Sequence, residues 1–391
     1  MMSSRLFTIG TLVAASLTTI ATFYHFSYLF FLLRDRFGFD DRANLGVAAL
    51  HGAIYIGAAW WGGRFAERHG HGVSLAVGFA GLSICLIAGA FVPSAAGLLV
   101  VVVVYTVALL HVWPALEAMT IAGEPPDRVP HAVGIYNLTW SGSAAFAYFT
   151  GGPLYDWLGP RLVFEIPAAI MLIELAGLAW LCRRPLLPVN ADSAMTTAER
   201  PPAPLSSPPR ARTFLQLAWL ANPLAYVAIY TLLAVMPGLA AALGFSPTQV
   251  GLFCAIWFFA RLVAFAVLWQ WPGWHYRFGW LAASYVLLVV SFLGIVLAPN
   301  VLVLVVGQVV FGAATGMAYY SSLFYAMDLG EAKAEHGGLH EAGIGLGVFA
   351  GPAVGALSLY LYPAVPQAGA LAVAALLAAG FVAMVVIWRR G

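Results

Sequence analysis

The chain has 391 residues, of which 62% are hydrophobic and only 9% are charged, and its mean hydropathy is +0.88. Soluble domains carry roughly 25% charged residues, so this composition excludes a water-soluble globule and predicts a membrane protein. The formal net charge of +2 gives no sign of nucleic-acid binding, and the three widely separated cysteines show neither disulfide nor metal spacing.

Twelve apolar segments are long enough to cross a bilayer, which takes about 20 residues. The predicted spans are residues 6–33, 43–63, 73–93, 96–122, 131–156, 162–182, 214–243, 247–270, 278–298, 301–327, 339–362 and 368–388. The first is too long for the apolar part of a signal peptide and lacks an A-x-A cleavage pattern. We therefore expect it to be a retained span.

Residues 188–213 interrupt the series after the sixth span and are rich in Pro, Ser and Ala. That composition is typical of a flexible linker because it cannot bury a core. We expect an all-α membrane protein with two pseudo-symmetric six-helix bundles, residues 1–187 and 214–391, joined by a cytoplasmic linker at 188–213.

Two dipeptides recur at similar places in the two halves. Gly38-Phe39 ends the first span as Gly244-Phe245 ends the seventh, and Gly152-Pro153 in the fifth span has a counterpart, Gly351-Pro352, in the eleventh. A repeat of six spans is typical of transporters in which two halves alternate access around a central site.

Basic residues predict the orientation of the spans. With both termini in the cytoplasm, thirteen of the 18 Lys and Arg residues lie on the cytoplasmic side, four lie on the opposite side, and Arg261 lies within a span. The positive-inside rule therefore favours cytoplasmic termini. We expect an integral protein of the bacterial inner (plasma) membrane.

The connection between spans two and three, residues 63–72, reads GRFAERHGHG. It resembles the loop 2–3 signature of the major facilitator superfamily, with near substitutions at two positions, and it departs where that family usually has basic residues, at His71 and Gly72. The resemblance implies a twelve-helix secondary transporter in which this loop holds the halves together in one state. The residues that would form the conformational loop motif are Gly63, Glu67, Arg68 and Gly70. An ordinary positive-inside loop with a glycine turn is the alternative interpretation.

A second pattern, Gly347-x-x-x-Gly351-Pro352, looks like one that antiporters of this family carry in their fifth span. Here it lies in the eleventh span, and close helix packing is the interpretation we favour. The family's arginine pattern in the fourth span is absent, since residues 100–104 are all valine. Its absence argues against a standard drug–proton antiporter.

Polar side chains recur on one face of several spans, which predicts either a cavity or an interhelical contact at those faces. The resemblance implies that spans one, two, four, five, seven, eight, ten and eleven line a central cavity. The predicted substrate-cavity or coupling residues are His25, Tyr28, His51, Tyr55, His111, Glu117, Asn137, Tyr226, Tyr230, Arg261, Gln308 and Tyr319. For each of them a structural hydrogen bond between helices is the alternative.

Charged residues within the spans need partners. Arg261 must meet a carboxylate, backbone carbonyls or an anionic substrate, and a guanidinium suits carboxylate or phosphate. Glu117 or one of the histidines could carry a proton, so a proton gradient is a candidate energy source. For Asp328 and Glu341 we expect contacts with loop residues, namely Lys333, His336 and His340.

The leading functional hypothesis is a secondary active transporter that moves a small organic solute by rocker-switch alternating access, with proton coupling as an open option. An antiporter that exports lipophilic compounds is the alternative, and a membrane-embedded sensor or enzyme is a more distant one. His340-Glu341 begins like the zinc motif H-E-x-x-H, but Ile344 stands where its second histidine belongs. No G-x-x-x-x-G-K-[ST] motif is present, which excludes ATP-driven transport by this chain alone. We expect a monomer in lipid without enzyme activity, cofactor, metal or nucleic-acid partner.

Overall fold

The computed structural model describes residues 2–125, 128–182, 210–329 and 334–391, and the side chains of all of these except 2–6, 182 and 334–339. Over these ranges the chain forms helices and no strands. The helices are α1 Met2–Phe37, α2 Asp41–His69, α3 His71–Ala90, α4 Ala95–Leu109, α5 Trp113–Ile121, α6 Val129–Leu158, α7 Pro160–Cys182, α8 Ala211–Leu243, α9 Pro247–Gln270, α10 Phe278–Val296, α11 Val301–Asp328, α12 Ala334–Leu361 and α13 Ala368–Arg390.

These helices confirm the predicted membrane architecture. The predicted fourth span is broken at residues 110–112, so that α4 and α5 form its two parts, and spans five to twelve are α6 to α13. With α4 and α5 counted together, eleven helices in the described part of the chain are long and apolar enough to cross a membrane. The helix that is not among them is α6, which is 30 residues long but carries many polar and small residues. It is covered by α1 and α9.

Helix ends follow local sequence signals that recur in the two halves. Gly38 and Gly244 end α1 and α8 at φ values of 69° and 68°, a region in which a side chain would be strained. Each next helix then begins at a polar cap, since Asp40 accepts a hydrogen bond from the Ala43 amide and Ser246 forms a capping box with Gln249. The predicted repeat at Gly38 and Gly244 is therefore confirmed as two equivalent turns.

The two bundles meet mainly through two helix pairs. Helix α2 packs along α12, and α6 packs along α9. In the numbering of spans these are pairs 2–11 and 5–8. Span two of the first half corresponds to span eight of the second, and span five corresponds to span eleven, so the pseudo-symmetry relates one pair to the other. The contacts are therefore those expected of a pseudo-symmetric pair of six-helix bundles. Of the predicted linker 188–213, residues 188–209 lie outside the described residues. Helix α8 begins at Ala211, within the predicted linker.

Glycines allow the closest helix contacts. A Cβ at Gly347 or Gly351 would overlap the carbonyl oxygen of Pro223 or Val227 in α8, so the pattern in span eleven packs two helices of one bundle together. Gly152 lies in the same way against the Pro247 carbonyl at the start of α9, but there the contact joins the two bundles. The packing interpretation of Gly347 and Gly351 is confirmed.

The direction of the helices defines two sides of the molecule. The side that holds the start of α1 and the last residues of α2, α5, α7, α9, α11 and α13 is called the terminal side below. The other side, which holds the connections after α1, α3, α6, α8, α10 and α12, is called the opposite side.

Candidate substrate and coupling site

Arg261 lies in α9 at the contact between the bundles, and only 2% of its surface is exposed. Its guanidinium carbon is 4.8 Å from the ring centroid of Trp140 in α6, 5.3 Å from Phe265 one turn further along α9, and 5.0 Å from Tyr319 in α11. These distances are those of cation–π contacts, which offset part of the cost of removing the charge from water. Three helices from both bundles thus form an aromatic cage around one cation.

The hydrogen-bonding groups of Arg261 are only partly used. Tyr226 in α8 lies near its guanidinium group. The Nε and Nη2 atoms are buried and have no hydrogen-bond partner. Among the described side chains no carboxylate forms an ion pair with Arg261, since the two ion pairs found there are Arg34–Asp41 and Arg161–Glu165. A buried cation therefore keeps two free donors.

Two carboxyl groups meet across the bundles on the terminal side of this cage. The Tyr55 hydroxyl of α2 donates a short hydrogen bond to Glu341 of α12, and Glu117 of α5 lies nearby. Glu341 is 4% exposed, whereas Glu117 keeps some accessible surface. Tyr226 lies within electrostatic reach of both carboxyl groups as well as of Arg261.

These partners differ from those expected for Glu341 and Asp328. Glu341 lies in the contact between the bundles, because α12 packs along α2 and turns this side chain toward Tyr55. Asp328 accepts a short hydrogen bond from the Tyr276 hydroxyl in the connection between α9 and α10. Of the expected partners, Lys333 lies outside the described residues, and the side chain of His336 lies outside the described side chains.

Of the three predicted histidines only His51 borders this group, since its ring lies 5.6 Å from that of Tyr55. His25 donates from Nδ1 to the Val163 carbonyl, at 2.8 Å, inside the first bundle, and its ring lies against Tyr105. The His51 Nδ1 atom is 2.7 Å from the Thr106 hydroxyl, and its ring stacks on Tyr230 of α8. His111 donates to the Val107 carbonyl beside Trp61, away from the bundle contact.

Two other predicted residues line a small separate cavity on the opposite side of the cage. Tyr28 of α1 and Gln308 of α11 face each other there with Trp257 and Cys254 of α9. Its free volume of about 20 Å³ holds about one water molecule. The Gln308 Oε1 atom has no partner among the described atoms.

Asn137 of α6 lies beside the cage. Its Oδ1 atom accepts a hydrogen bond of 3.0 Å from the Trp140 indole, and its buried Nδ2 atom has no partner. The neighbouring Tyr136 is within electrostatic reach of Glu117 and Glu341. Asn137 therefore orients the ring over which the Arg261 guanidinium lies.

The predicted loop motif lies at the terminal side. Gly70 ends α2 at a φ of 88°, and Glu67 and Arg68 are exposed in the last turn. In the described part of the chain neither of them forms an ion pair, and the Gly63 position is partly exposed. The motif is thus a helix end with free charges and a glycine turn.

Sequence reasoning did not single out Trp140 and Phe265, which cover the guanidinium. Phe265 follows Arg261 by four residues and so lies on the same helix face, a spacing that could have indicated it. Trp140 comes from the other bundle and carries no such signal. No group of three His, Cys, Asp or Glu side chains that could hold a metal ion occurs among the described residues.

No protein-family model and no curated protein matches the sequence. Solved structures do resemble the chain. The human organic anion transporter MFSD10 (TETRAN) is 16% identical with a TM-score of 0.67, and the alignment covers 97% of this chain and 99% of that one.

Two further solved structures give similar values. A structure of proton-dependent oligopeptide transporters is 14% identical with a TM-score of 0.72, covering 99% of this chain and 98% of that one. The nucleoside transporter NupG is also 14% identical, with a TM-score of 0.71, covering 98% of this chain and 99% of that one. Each of these proteins is a transporter, and at such identities the likeness concerns the fold. The chain therefore has the same fold as these transporters.

Proposed function

We propose that this protein is a secondary transporter that moves a small organic anion across the membrane by alternating access of its two bundles. The observation that carries the proposal is the buried Arg261 guanidinium with free Nε and Nη2 donors. The fold and the near-symmetric contacts of the two bundles support the transport part of the proposal.

A buried charge is costly unless it is paired and hydrogen-bonded. The cage of Trp140, Phe265 and Tyr319 supplies attraction to the cation but no acceptor for Nε and Nη2. Aromatic contacts alone therefore leave Arg261 incompletely satisfied. An anion that enters the site supplies both the missing charge and the missing acceptors.

The free donors also specify the shape of the anion. Nε and Nη2 form one edge of the planar guanidinium, and two parallel N–H groups on such an edge match the two oxygens of a carboxylate or phosphate. Trp140, which packs on the guanidinium, is partly accessible and suits a flat or apolar organic body. The proposed substrate class is thus a small carboxylate with an aromatic or aliphatic part.

The proposal is tested by ligand binding to the purified protein. Thermal unfolding is followed with benzoate, succinate and phenyl phosphate, and benzamide serves as the uncharged counterpart of benzoate. We expect at least one of the anions to raise the unfolding temperature, and benzamide to have no effect. Uptake of the stabilising anion into proteoliposomes then establishes transport.

Variants of Arg261 assign the binding to the site. Arg261→Lys keeps the charge but loses the bidentate edge, so we expect the affinity for the anion to fall by roughly 30-fold or more, equivalent to about 2 kcal/mol. Arg36→Ala removes an exposed cation from the end of α1 and should leave binding unchanged. Binding of no anion in the panel, or equal binding by wild type and Arg261→Lys, would overturn the proposal.

A further inference from the structure

Five exposed arginines gather at one end of the second bundle, where α8 and α10 begin and α13 ends. These three helices pack against one another in pairs. The arginines, called the arginine patch below, are Arg210, Arg212, Arg277, Arg389 and Arg390. Among the described residues none of them forms an ion pair, since the ion pairs found there are Arg34–Asp41 and Arg161–Glu165. The patch therefore carries positive charge without a paired acid.

Aromatic rings hold the three helix ends together. The Phe278 ring at the start of α10 stacks on that of Trp388 near the end of α13, with 4.6 Å between the centroids. Phe214 near the start of α8 packs edge-on against Trp388 at 5.5 Å. The guanidinium carbon of Arg210 lies 4.5 Å from the Trp388 ring centroid, which is a cation–π contact. These contacts fix the positions of the helix ends relative to one another.

The other four arginines are neighbours of these rings in the chain. They are Arg277 directly before Phe278, Arg389 and Arg390 directly after Trp388, and Arg212 two residues before Phe214. Consecutive Cα atoms are about 3.8 Å apart, so the five long side chains start around one cluster of rings. Asp328, which accepts a hydrogen bond from Tyr276, adds one negative charge at the edge of the patch. The balance at this end of the bundle is thus strongly positive.

The arginine patch borders a surface that faces hydrocarbon. Helices α8, α10 and α13 are each long and apolar enough to cross a membrane. Inward from the patch, Trp280 of α10 is 47% exposed and Val386 of α13 is 40% exposed. Trp271 meets Trp280 edge to face at 5.2 Å, and tryptophan is enriched at the level of the lipid headgroups. The arginines therefore lie at that level, with an apolar surface next to them.

The two surfaces together specify the chemistry of a ligand. A guanidinium binds phosphate through parallel hydrogen bonds, and groups of basic residues beside a membrane span are typical of sites for anionic lipid headgroups. A soluble anion uses the arginines but not the apolar surface. An acidic protein in water reaches the arginines but not the side chains at the depth of the hydrocarbon. An anionic phospholipid matches both surfaces.

We propose that the arginine patch binds the phosphate headgroup of an anionic phospholipid, whose acyl chains lie along Trp280 and Val386. Guanidinium groups from three helix ends share the headgroup, and its negative charge offsets the repulsion between them. All three helices belong to the second bundle, whereas the Arg261 side chain lies at the contact between the bundles. The lipid site is therefore separate from the proposed substrate site and does not depend on the proposed function.

Native mass spectrometry of the delipidated protein tests the site. The protein is mixed with equal amounts of phosphatidylglycerol and phosphatidylcholine that carry the same acyl chains, so only the headgroups differ. Each arginine beside a headgroup contributes about fivefold in affinity, equivalent to about 1 kcal/mol. We expect phosphatidylglycerol to bind the wild type more tightly than phosphatidylcholine by roughly tenfold or more.

A triple glutamine variant assigns this preference to the arginine patch. Arg277→Gln, Arg389→Gln and Arg390→Gln together remove three charges and leave the contact between Arg210 and Trp388 in place. The affinity for phosphatidylglycerol should fall by roughly tenfold or more, and that for phosphatidylcholine should not change. The corresponding triple lysine variant keeps the charges, so its affinity for phosphatidylglycerol should stay within about threefold of the wild type. It shows whether charge or a change of fold causes the loss.

The matched control removes the same number of charges from the opposite side. Arg36→Gln, Arg42→Gln and Arg161→Gln replace three exposed arginines, which have acidic neighbours in the chain at Asp35 and Asp41. This variant should keep the preference of the wild type for phosphatidylglycerol. A general effect of net charge would instead weaken binding equally in both triple glutamine variants, which would overturn the assignment.

The remaining outcomes distinguish the lipid from other ligands. Equal binding of the two lipids by the wild type, or an unchanged preference in the triple glutamine variant of the patch, overturns the proposal. Displacement of phosphatidylglycerol by an equal concentration of inorganic phosphate would assign the patch to a soluble anion, and tighter binding of a polyglutamate peptide would assign it to an acidic protein. Either result also overturns the proposal. No organic anion is present in these measurements, so their outcome is independent of whether Arg261 binds one.

Discussion

Gly52 of α2 lies so close to the backbone of Phe349 in α12 that a Cβ at position 52 would overlap it. This contact is in the middle of the long α2–α12 pair, one of the two helix pairs that join the bundles. The atoms it meets are backbone atoms, which cannot turn aside as a flexible side chain can. The bundles can approach this closely only because residue 52 has no side chain.

Gly52→Ala should therefore destabilise the protein, although alanine favours helices. Overpacking at a rigid contact costs typically about 1–3 kcal/mol. Gly57→Ala is the matched control on the same helix, since a Cβ there meets nothing within 4 Å and alanine is stabilising by about 1 kcal/mol in a helix. Thermal unfolding in detergent should show a lower midpoint for Gly52→Ala and an equal or higher one for Gly57→Ala. Equal midpoints for the two variants would contradict the contact.

The opposite side is closed by a different contact between the bundles. Asp156, in the last turn of α6, accepts hydrogen bonds from the amide of Thr248, at 3.0 Å, and from its hydroxyl in the first turn of α9. Asp156→Ala removes both acceptors, and each such bond contributes about 0.5–1.5 kcal/mol. We expect the bundles to separate more readily on this side.

Spin labels at Arg36→Cys and Ala242→Cys, both exposed on the opposite side, measure that separation. The distances should become longer in Asp156→Ala. Glu165→Ala is the control, because Glu165 pairs with Arg161 within α7 and does not connect the bundles. Identical distance distributions in Asp156→Ala and the control would show that the contact does not hold this side closed.

Tyr55 supplies the hydroxyl that Glu341 accepts, so Tyr55→Phe leaves a buried carboxyl group with one donor fewer. Removing one partner of a buried hydrogen bond costs about 1–3 kcal/mol. Tyr28→Phe is the comparison, because the Tyr28 hydroxyl is 3.4 Å from the Tyr148 carbonyl and its bond is weak. We expect a clear loss of stability in chemical unfolding for Tyr55→Phe and a smaller one for Tyr28→Phe. The reverse order would contradict the assigned strengths of the two bonds.

The sequence predicted the spans because each needs a long apolar run, a signal that depends on neighbouring residues only. The repeated turns at Gly38 and Gly244 could also be predicted from neighbouring residues, because a positive φ after a helix favours glycine. The break at residues 110–112 was not anticipated as a separation into two helices. The local signal for the break is Pro114, which has no amide hydrogen to donate and lies in the first turn of α5.

The site was less predictable because its contacts join residues far apart in the chain. Arg261 stood out as a cation in an apolar span, but its cage includes Trp140 from the other bundle, 121 residues away. Glu341 was expected to meet loop residues, and it meets Tyr55, which is 286 positions away. Which partner a buried polar group finds depends on how the bundles dock, and no local pattern specifies that docking.

His275 predicts how stability depends on pH outside the membrane-spanning helices. It lies in the connection between α9 and α10, with its ring stacked on Phe324 at 4.0 Å. Burial lowers the pKa of His275 below its ordinary value of 6.5, and the Asp328 carboxylate offsets part of this effect. Folding therefore favours the neutral ring. The stability linked to it is present above about pH 6.5 and is lost as the pH falls toward the lowered pKa.

His275→Phe keeps an aromatic ring against Phe324 but cannot take up a proton. Between about pH 7 and pH 5 the wild type should lose more of its thermal stability than the variant does, because only the wild type must bind a proton at this position on unfolding. The measurement is the difference in unfolding midpoint between the two proteins at each pH. Groups that titrate in both proteins contribute equally to the two midpoints, so their effect does not enter the difference. A difference that stays constant over this range, or one that moves in favour of the wild type at acid pH, would show that the His275 pKa is not lowered by its surroundings.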